Sequence, residues 1–252
     1  MSSRRLTLDR RHWVALALAA GLALIVVAAD TVLASRAEHR VAQRYSGTEV
    51  YIASFPFTTS LLLGSIPRVS VTALDAPVEG IGIANATSEA VDVSVAGAKA
   101  IRGDFAGAKA ATLRRQVRLD GVAFGELLGM TDLDIANPYD ISPRGGPASE
   151  VRLTGTPPGM DEQVSVVATL RLVDGVFHLR PSVIDHAPSD ADTDAVVRAF
   201  TLTRDTRDFT LGGPADLVQV SGGSIEFSRD RINVTLEPED LSPLAPGVRA
   251  AG

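Results

Sequence analysis

No cysteine occurs among the 252 residues of this chain, which excludes disulfides, a thiolate nucleophile and any zinc-thiolate site. The absence assigns no compartment, but it means that an exported domain made from this chain is held by packing alone. Aromatic residues are also few, at 5%. Val, Ala, Leu, Thr and Gly dominate instead, a composition that suits strands and small-residue helices. With 45% hydrophobic residues the chain can bury a sizeable core, which argues against extended disorder and favours one β-rich domain.

Positive charge is scarce where the domain should fold. The whole chain carries a formal net charge of −6. Residues 1–29 hold four Arg and one Asp, so the rest has 20 basic against 29 acidic residues, or −9. An acidic body lacks the broad basic face that a nucleic-acid phosphate track needs, so no nucleic-acid partner is expected. It also disfavours broad adhesion to an anionic leaflet, while leaving room for a local basic patch at a headgroup. Arg114, Arg115 and Arg118 are the densest basic set; strand spacing puts Arg114 and Arg118 on one face and Arg115 on the other, as on a solvated edge strand with one snorkelling arginine.

Catalytic patterns are missing too. His12, His39, His178 and His186 never fall at the i, i+4 spacing of a helical metal pair, and His178 and His186 read as a strand-surface and a loop residue. There is no Gly-x-Ser-x-Gly elbow and no phosphate-cradling Gly-x-x-x-x-Gly-Lys. Asp190-x-Asp192-x-Asp194 starts like a calcium loop, yet Ala195 and Thr201 stand where glycine and a bidentate glutamate are required, so helix capping is the preferred reading. Asp132-x-Asp134 reads as a solvated strand face, and the sequons at Asn85 and Asn233 are short matches of low specificity. No catalytic residue, metal or cofactor is expected; an enzyme would need a dispersed site.

The chain has one long apolar run. Trp13 to Ala29 is 17 uncharged residues, at the short limit of a membrane-spanning helix, preceded by Arg4, Arg5, Arg10 and Arg11. The arginines predict a cytoplasmic N-terminus and an extracytoplasmic body. A cleaved signal peptide ending near Val27-Ala28-Ala29 is the rival reading, and it exports the same domain. Ser3-Arg4-Arg5-Leu6 matches a twin-arginine signal only weakly, since Thr7 and Asp9 depart from the pattern. From Val32 to Tyr45 a narrow apolar stripe, Leu33, Ala37, Val41 and Tyr45, predicts a helix that either continues the first or lies on a sheet, ended by Gly47.

Beyond Gly47 the period becomes two. Val69, Val71 and Ala73, then Val91, Val93 and Val95, then Ile232, Val234 and Leu236 each predict a half-buried strand. Val164 to Leu179 predicts a hairpin turning at Asp174-Gly175. Short helices are expected at Ala123–Met130, where Phe124, Leu127 and Leu128 share a face, and at Thr193–Leu202 behind Asp190, Asp192 and Asp194. Gly145-Gly146-Pro147, Pro157-Pro158-Gly159 and Gly212-Gly213-Pro214 mark turns, and residues 242–252 read as a loose tail. The organisation is thus an N-terminal segment 1–29, a single domain 30–241 and the tail. The fold class is α+β, with a mostly antiparallel sheet.

One element is distinctive. Phe55-Pro56-Phe57-Thr58-Thr59-Ser60-Leu61-Leu62-Leu63-Gly64 predicts a short extended segment and one helical turn stopped by glycine. With the N-terminal apolar run, the following helix and the Ser65-Ile66-Pro67-Arg68-Val69-Ser70-Val71 strand, it resembles the LmeA-like phospholipid-binding family of actinobacterial cell envelopes. That resemblance implies a TULIP-like half-barrel, a strongly curved sheet wrapped round a helix beside an apolar groove. It implies a membrane-associated protein that holds phospholipid or glycolipid acyl chains for envelope assembly, possible envelope-assembly enzymes being its protein partners. Candidate lining residues are Phe55, Phe57, Leu61, Leu62 and Leu63, with Phe124, Leu127 and Leu128 as a second set; all eight are equally compatible with plain core. The alternatives are an adaptor domain that docks a membrane enzyme and a hydrolase with a dispersed site.

Overall fold

The N-terminal apolar run and the striped segment behind it are one helix, α1, spanning Arg10–Ala42. Nothing from Trp13 to Ala42 breaks it: the stretch has no proline, and its one glycine, Gly21, has open space around it. The structure, a computed structural model, describes residues 10–78, 80–138 and 149–244. The Gly145-Gly146-Pro147 turn and most of the expected tail lie outside the described residues. The two halves of α1 differ sharply. Leu16, Leu18, Leu22, Leu24 and Ile25 are exposed, whereas Ala37 and Val41 are buried and Leu33 and Ala34 pack against the same cluster. By length and composition, the helix over Leu16–Ala42 is a candidate membrane span, its most apolar stretch reaching a mean hydropathy of 2.3. The helix ends at Ala42, ahead of the expected stop at Gly47. Tyr45 lies past that end, and its hydroxyl donates to the Pro238 carbonyl at 2.7 Å.

After α1 come β1 (Thr48–Ala53), α2 (Phe57–Leu63), β2 (Ser65–Val78), β3 (Gly82–Ser94), α3 (Gly97–Ile101), β4 (Lys109–Asp120) and α4 (Gly121–Leu128). Then follow β5 (Asp134–Ala136), β6 (Glu150–Gly155), β7 (Val164–Val173), β8 (Val176–His186), α5 (Thr193–Ala199), β9 (Leu202–Asp205), β10 (Leu217–Ser221) and β11 (Ser224–Thr235). The strands form two antiparallel sheets, one of six strands in the order β1-β2-β3-β4-β11-β10 and one of five in the order β5-β6-β7-β8-β9. The fold is α+β, as the periodicities predict. Residues from both sheets, among them Val117, Phe227, Leu153 and Val166, share one core with Phe124 of α4. A second core lies along the six-stranded sheet, where Val69, Val71, Ala90, Val93 and Leu113 meet Ala37 and Val41 of α1, Phe57 of α2 and Ala100 of α3. In the first core Phe227 meets Phe177 and Phe209 edge-on, both at 4.9 Å between ring centres. Each such pair adds about 0.5–1.5 kcal/mol beyond its buried area.

The β7–β8 hairpin turns at Asp174-Gly175 with Val173 opposite Val176, and both turn residues have positive φ, 51° and 80°. That matches the mirror-image turn which twisted hairpins favour. Two other alternations break. Asp92 and Asn233 sit at φ 51° and 54°, each inserting a kink that moves the next residue to the opposite face. Val91 is therefore only half-buried while Ala90 and Val93 face the core, and Ile232 is 73% exposed while Val234 is buried. The arginine expectation also changes. β4 is central, between β3 and β11. Arg114 pairs with Asp230 through two hydrogen bonds at 2.8 and 2.7 Å, and Arg118 lies 3.6 Å from Glu226. Arg115 is buried, and its guanidinium donates to the Ser242 carbonyl. The start of the expected tail is thereby fastened, and Leu244 packs on the first core.

Candidate functional site

Three helices meet at one end of the six-stranded sheet, and identifiable residues join each pair. The carboxylate of Asp30, one residue past the uncharged apolar run, accepts the backbone N–H of Phe57 at 2.8 Å and of Thr58 at 2.7 Å. It also accepts the Thr58 hydroxyl at 2.8 Å. Pro56, at the N-cap of α2, offers no side-chain cap, so Asp30 supplies from α1 what the local sequence lacks. Gly97 opens α3 against α2: a Cβ there would stand 2.6 Å from the Leu61 carbonyl oxygen. Gly103 closes α3 against α1, where a Cβ would stand 2.9 Å from the Val41 backbone nitrogen and 3.1 Å from the Arg40 carbonyl carbon. Neither site has room for a side chain.

This end presents apolar side chains to solvent. Leu62, Phe55 and Leu63 are 89%, 78% and 76% exposed, the most exposed large apolar residues among the described ones. Phe57 is fully buried beneath them, and Leu61 packs partly against the second core. Gly64, in the left-handed region at φ 66°, ends α2 as its position predicts. Phe124 and Leu128 are buried in the first core with Leu127 packed against it. The structure therefore assigns the two candidate sets to different cores and does not bring them into a single lining.

A large open groove runs beside the same platform. It has a volume of about 980 Å³ and is bordered by Thr31, Val32, Ser35, Arg36, His39, Arg40 and Gln43 of α1 and the segment after it, with Ile101 and Arg102 at the end of α3. Two smaller grooves lie elsewhere, one of about 270 Å³ beside Arg118 and Glu126 and one of about 330 Å³ beside Arg171 and His178. The basic residues of α1 are legible in the sequence, since Arg36 and Arg40 lie one turn apart off the apolar stripe, but the groove they border is not. Arg102 comes from a separate helix, and only the close approach at Gly103 brings it near.

Elsewhere the polar groups are structural. Asp192 caps α5 by accepting the Asp194 N–H at 3.0 Å, as the capping reading predicts. Asp132 is not on a strand; it precedes β5 and accepts the Thr156 N–H and hydroxyl, both at 2.8 Å. Those bonds and one from Gln163, led by the Thr156 backbone, hold its carboxyl at about 2. Burial pulls the Arg115 guanidinium down to about 10, with Asp240 opposing the shift and Arg231 and Arg229 adding to it. Among the described residues no group of three or more His, Cys, Asp or Glu is placed to hold a metal ion.

The architecture is a sheet-borne domain joined to a long apolar helix, with its most exposed apolar side chains at the joint. The chain belongs to the LmeA-like phospholipid-binding family, whose model matches residues 20–244. No curated protein and no solved structure matches it.

Proposed function

We propose that this protein is exported, stays anchored by α1, and holds phospholipid or glycolipid acyl chains against the exposed surface of α2 in the service of cell-envelope lipid or lipoglycan assembly. The observation that carries the reading is the attachment of α2 to Asp30, which fixes Phe55, Leu62 and Leu63 beside the end of the apolar run. Water contact with these side chains is unfavourable, and moving each into hydrocarbon contributes about 1.5–3 kcal/mol. Phe57 and Leu61 seat the patch from below; Phe124, Leu127 and Leu128 serve as scaffold in the two-sheet core. Binding and transfer need no covalent step, and phospholipid-binding membership supports a non-enzymatic role. Export draws support from the arginines: four precede the apolar run, against three in the twenty residues after it. A reporter active only outside the cytoplasm, fused after Tyr45, should be active, and activity of a cytoplasmic reporter there would reverse the topology.

Leu62→Asp tests the binding surface. Leu62 is 89% exposed, so the new carboxylate keeps its water and the melting temperature of the full chain should match wild type. Bound fluorescent phospholipid should fall, because a charge on this surface repels acyl chains. Undiminished lipid binding at wild-type stability would remove α2 from the site and leave its apolar surface to a protein partner.

A further inference from the structure

The groove beside α1 has an electrostatic character that the acyl-chain reading does not explain. Val32, Ser35, Arg36, His39, Arg40 and Gln43 follow one another at steps of three and one residues and form one stripe. That stripe lies opposite the buried positions Asp30, Ala37 and Val41. Beyond the apolar run α1 has two carboxylates, Asp30 and Glu38, and both are committed to amides on that other side: Asp30 to Phe57 and Thr58, Glu38 to the Ile52 N–H at 2.9 Å. Asp104, the next acid beyond Arg102, lies 3.5 Å from Arg44. Among the described residues, then, Arg36, Arg40 and Arg102 have no ion-pair partner, although the body of the protein is acidic and other arginines, such as Arg114, Arg118 and Arg231, are paired. His39 meets the Gln43 side chain at 3.0 Å.

Position narrows what such a groove receives. At a rise of about 1.5 Å per residue, Arg36 lies roughly 10 Å beyond Ala29 and Arg40 roughly 16 Å. The headgroup layer extends about 5–8 Å outside the hydrocarbon, half the difference between the whole bilayer and its core. Helical side chains lean toward the N-terminus, so the Arg36 guanidinium reaches back toward that layer. Arg40 and Arg102 stand one turn higher, within reach of a lipid that has begun to rise. Ile101, 38% exposed, and Val32, 50% exposed, supply apolar wall in the same groove.

We infer that this groove is a phosphodiester site, in which Arg36, Arg40 and Arg102 take the headgroup phosphate of one phospholipid drawn from the leaflet that α1 leaves. The inference rests on the lipid-binding reading and adds to it the group recognised: arginine pairs with phosphate by parallel N–H donors, and three bordering one groove match a single phosphate with its several acceptor oxygens. Diacylglycerol, with the same tails and no phosphate, lacks the recognised group.

The test uses the full chain in a neutral detergent, titrated by fluorescence anisotropy with tail-labelled phosphatidylglycerol and with diacylglycerol carrying the same label. Wild type should bind phosphatidylglycerol about tenfold tighter or more, the size of one charge-assisted hydrogen bond. The triple variant Arg36→Gln, Arg40→Gln, Arg102→Gln should bind both lipids alike. Arg171→Gln with Arg180→Gln, which removes charge from the smaller groove on the five-stranded sheet, should leave the preference intact. The replaced side chains are exposed, so melting temperatures should not move, and a triple lysine variant should recover part of the preference. Equal binding of the two lipids by wild type, or an unchanged preference in the glutamine variant, overturns the phosphate site while the acyl-chain reading stands. Displacement of the lipid by inorganic phosphate at equal concentration also overturns it, in favour of a small-anion site. Failure of wild type to bind either lipid removes the lipid-binding reading itself, and this inference with it.

Discussion

A carboxylate held by three donors titrates differently from one that merely faces water, and Asp132 is of the first kind. Spacing alone could not separate the cases: Asp132-x-Asp134 has the alternation of a strand face, and the partners Thr156 and Gln163 lie 24 and 31 residues on. The bonds lower its pKa from 3.8 to about 2, so the folded state binds this proton more weakly than the unfolded chain does. A depressed folded value means stabilisation that is complete above the unfolded pKa and lost as pH falls through the folded one. Asp132→Asn cannot titrate. Between pH 4 and pH 2 the wild-type melting temperature should therefore fall more steeply than the variant's, narrowing the gap between them. Parallel curves across that interval would show that the Asp132 bonds do not differ between the folded and unfolded states.

Elements were legible where a local rule decides them. The α2 turn with its Gly64 stop, the Asp174-Gly175 hairpin, the Asp192 cap and the apolar stripe of α1 all follow from neighbours within a few residues. Pairing was not. Placing β4 at the centre of a sheet, and so burying Arg115, depends on β11 arriving from more than a hundred residues away. Nor do sequences announce a left-handed kink at a non-glycine residue such as Asp92 or Asn233, which is why strict alternation misplaces Val91 and Ile232. The candidate site divides the same way: its α2 part is one continuous stretch, while its basic groove joins α1 to α3 by backbone proximity. Gly103→Ala probes that junction. The left-handed backbone, at φ 63°, and the 2.9 Å approach to Val41 both penalise a methyl group, for a combined loss of about 2–4 kcal/mol. Gly107 is the control: its φ is 78° but nothing stands within 4 Å, so Gly107→Ala should lose only about 1 kcal/mol. Chemical denaturation of both variants decides it, and equal losses would mean that α3 does not press on α1.

At the scale of the molecule, α1 divides between two solvents, and the division can be cut. Its first part exposes Leu16, Leu18, Leu22, Leu24 and Ile25; from Asp30 onward it belongs to the second core through Ala37 and Val41. Strand alternation begins only after Gly47, and the packing of Ala37 and Val41 adds the helix from Asp30 onward to the second core. A chain beginning at Asp30 keeps the anchor of α2, the bond from Ile52 to Glu38 and the helical cover of the sheet. A chain beginning at Thr48 loses all three. It uncovers Ile52, Val69 and Phe57 and leaves the buried Phe57 amide without its acceptor. Lost burial and an unsatisfied amide together cost on the order of 5 kcal/mol, comparable with the whole stability of a modest domain, about 5–15 kcal/mol. The chain from Asp30 should therefore be soluble, with β-type circular dichroism and a cooperative melt, whereas the chain from Thr48 should aggregate or melt without cooperativity. Should the chain from Thr48 melt as sharply and as high as the chain from Asp30, the α1 segment from Asp30 to Ala42 would be a connector rather than part of the fold, and the three-helix platform on which the lipid site is argued would lose its foundation.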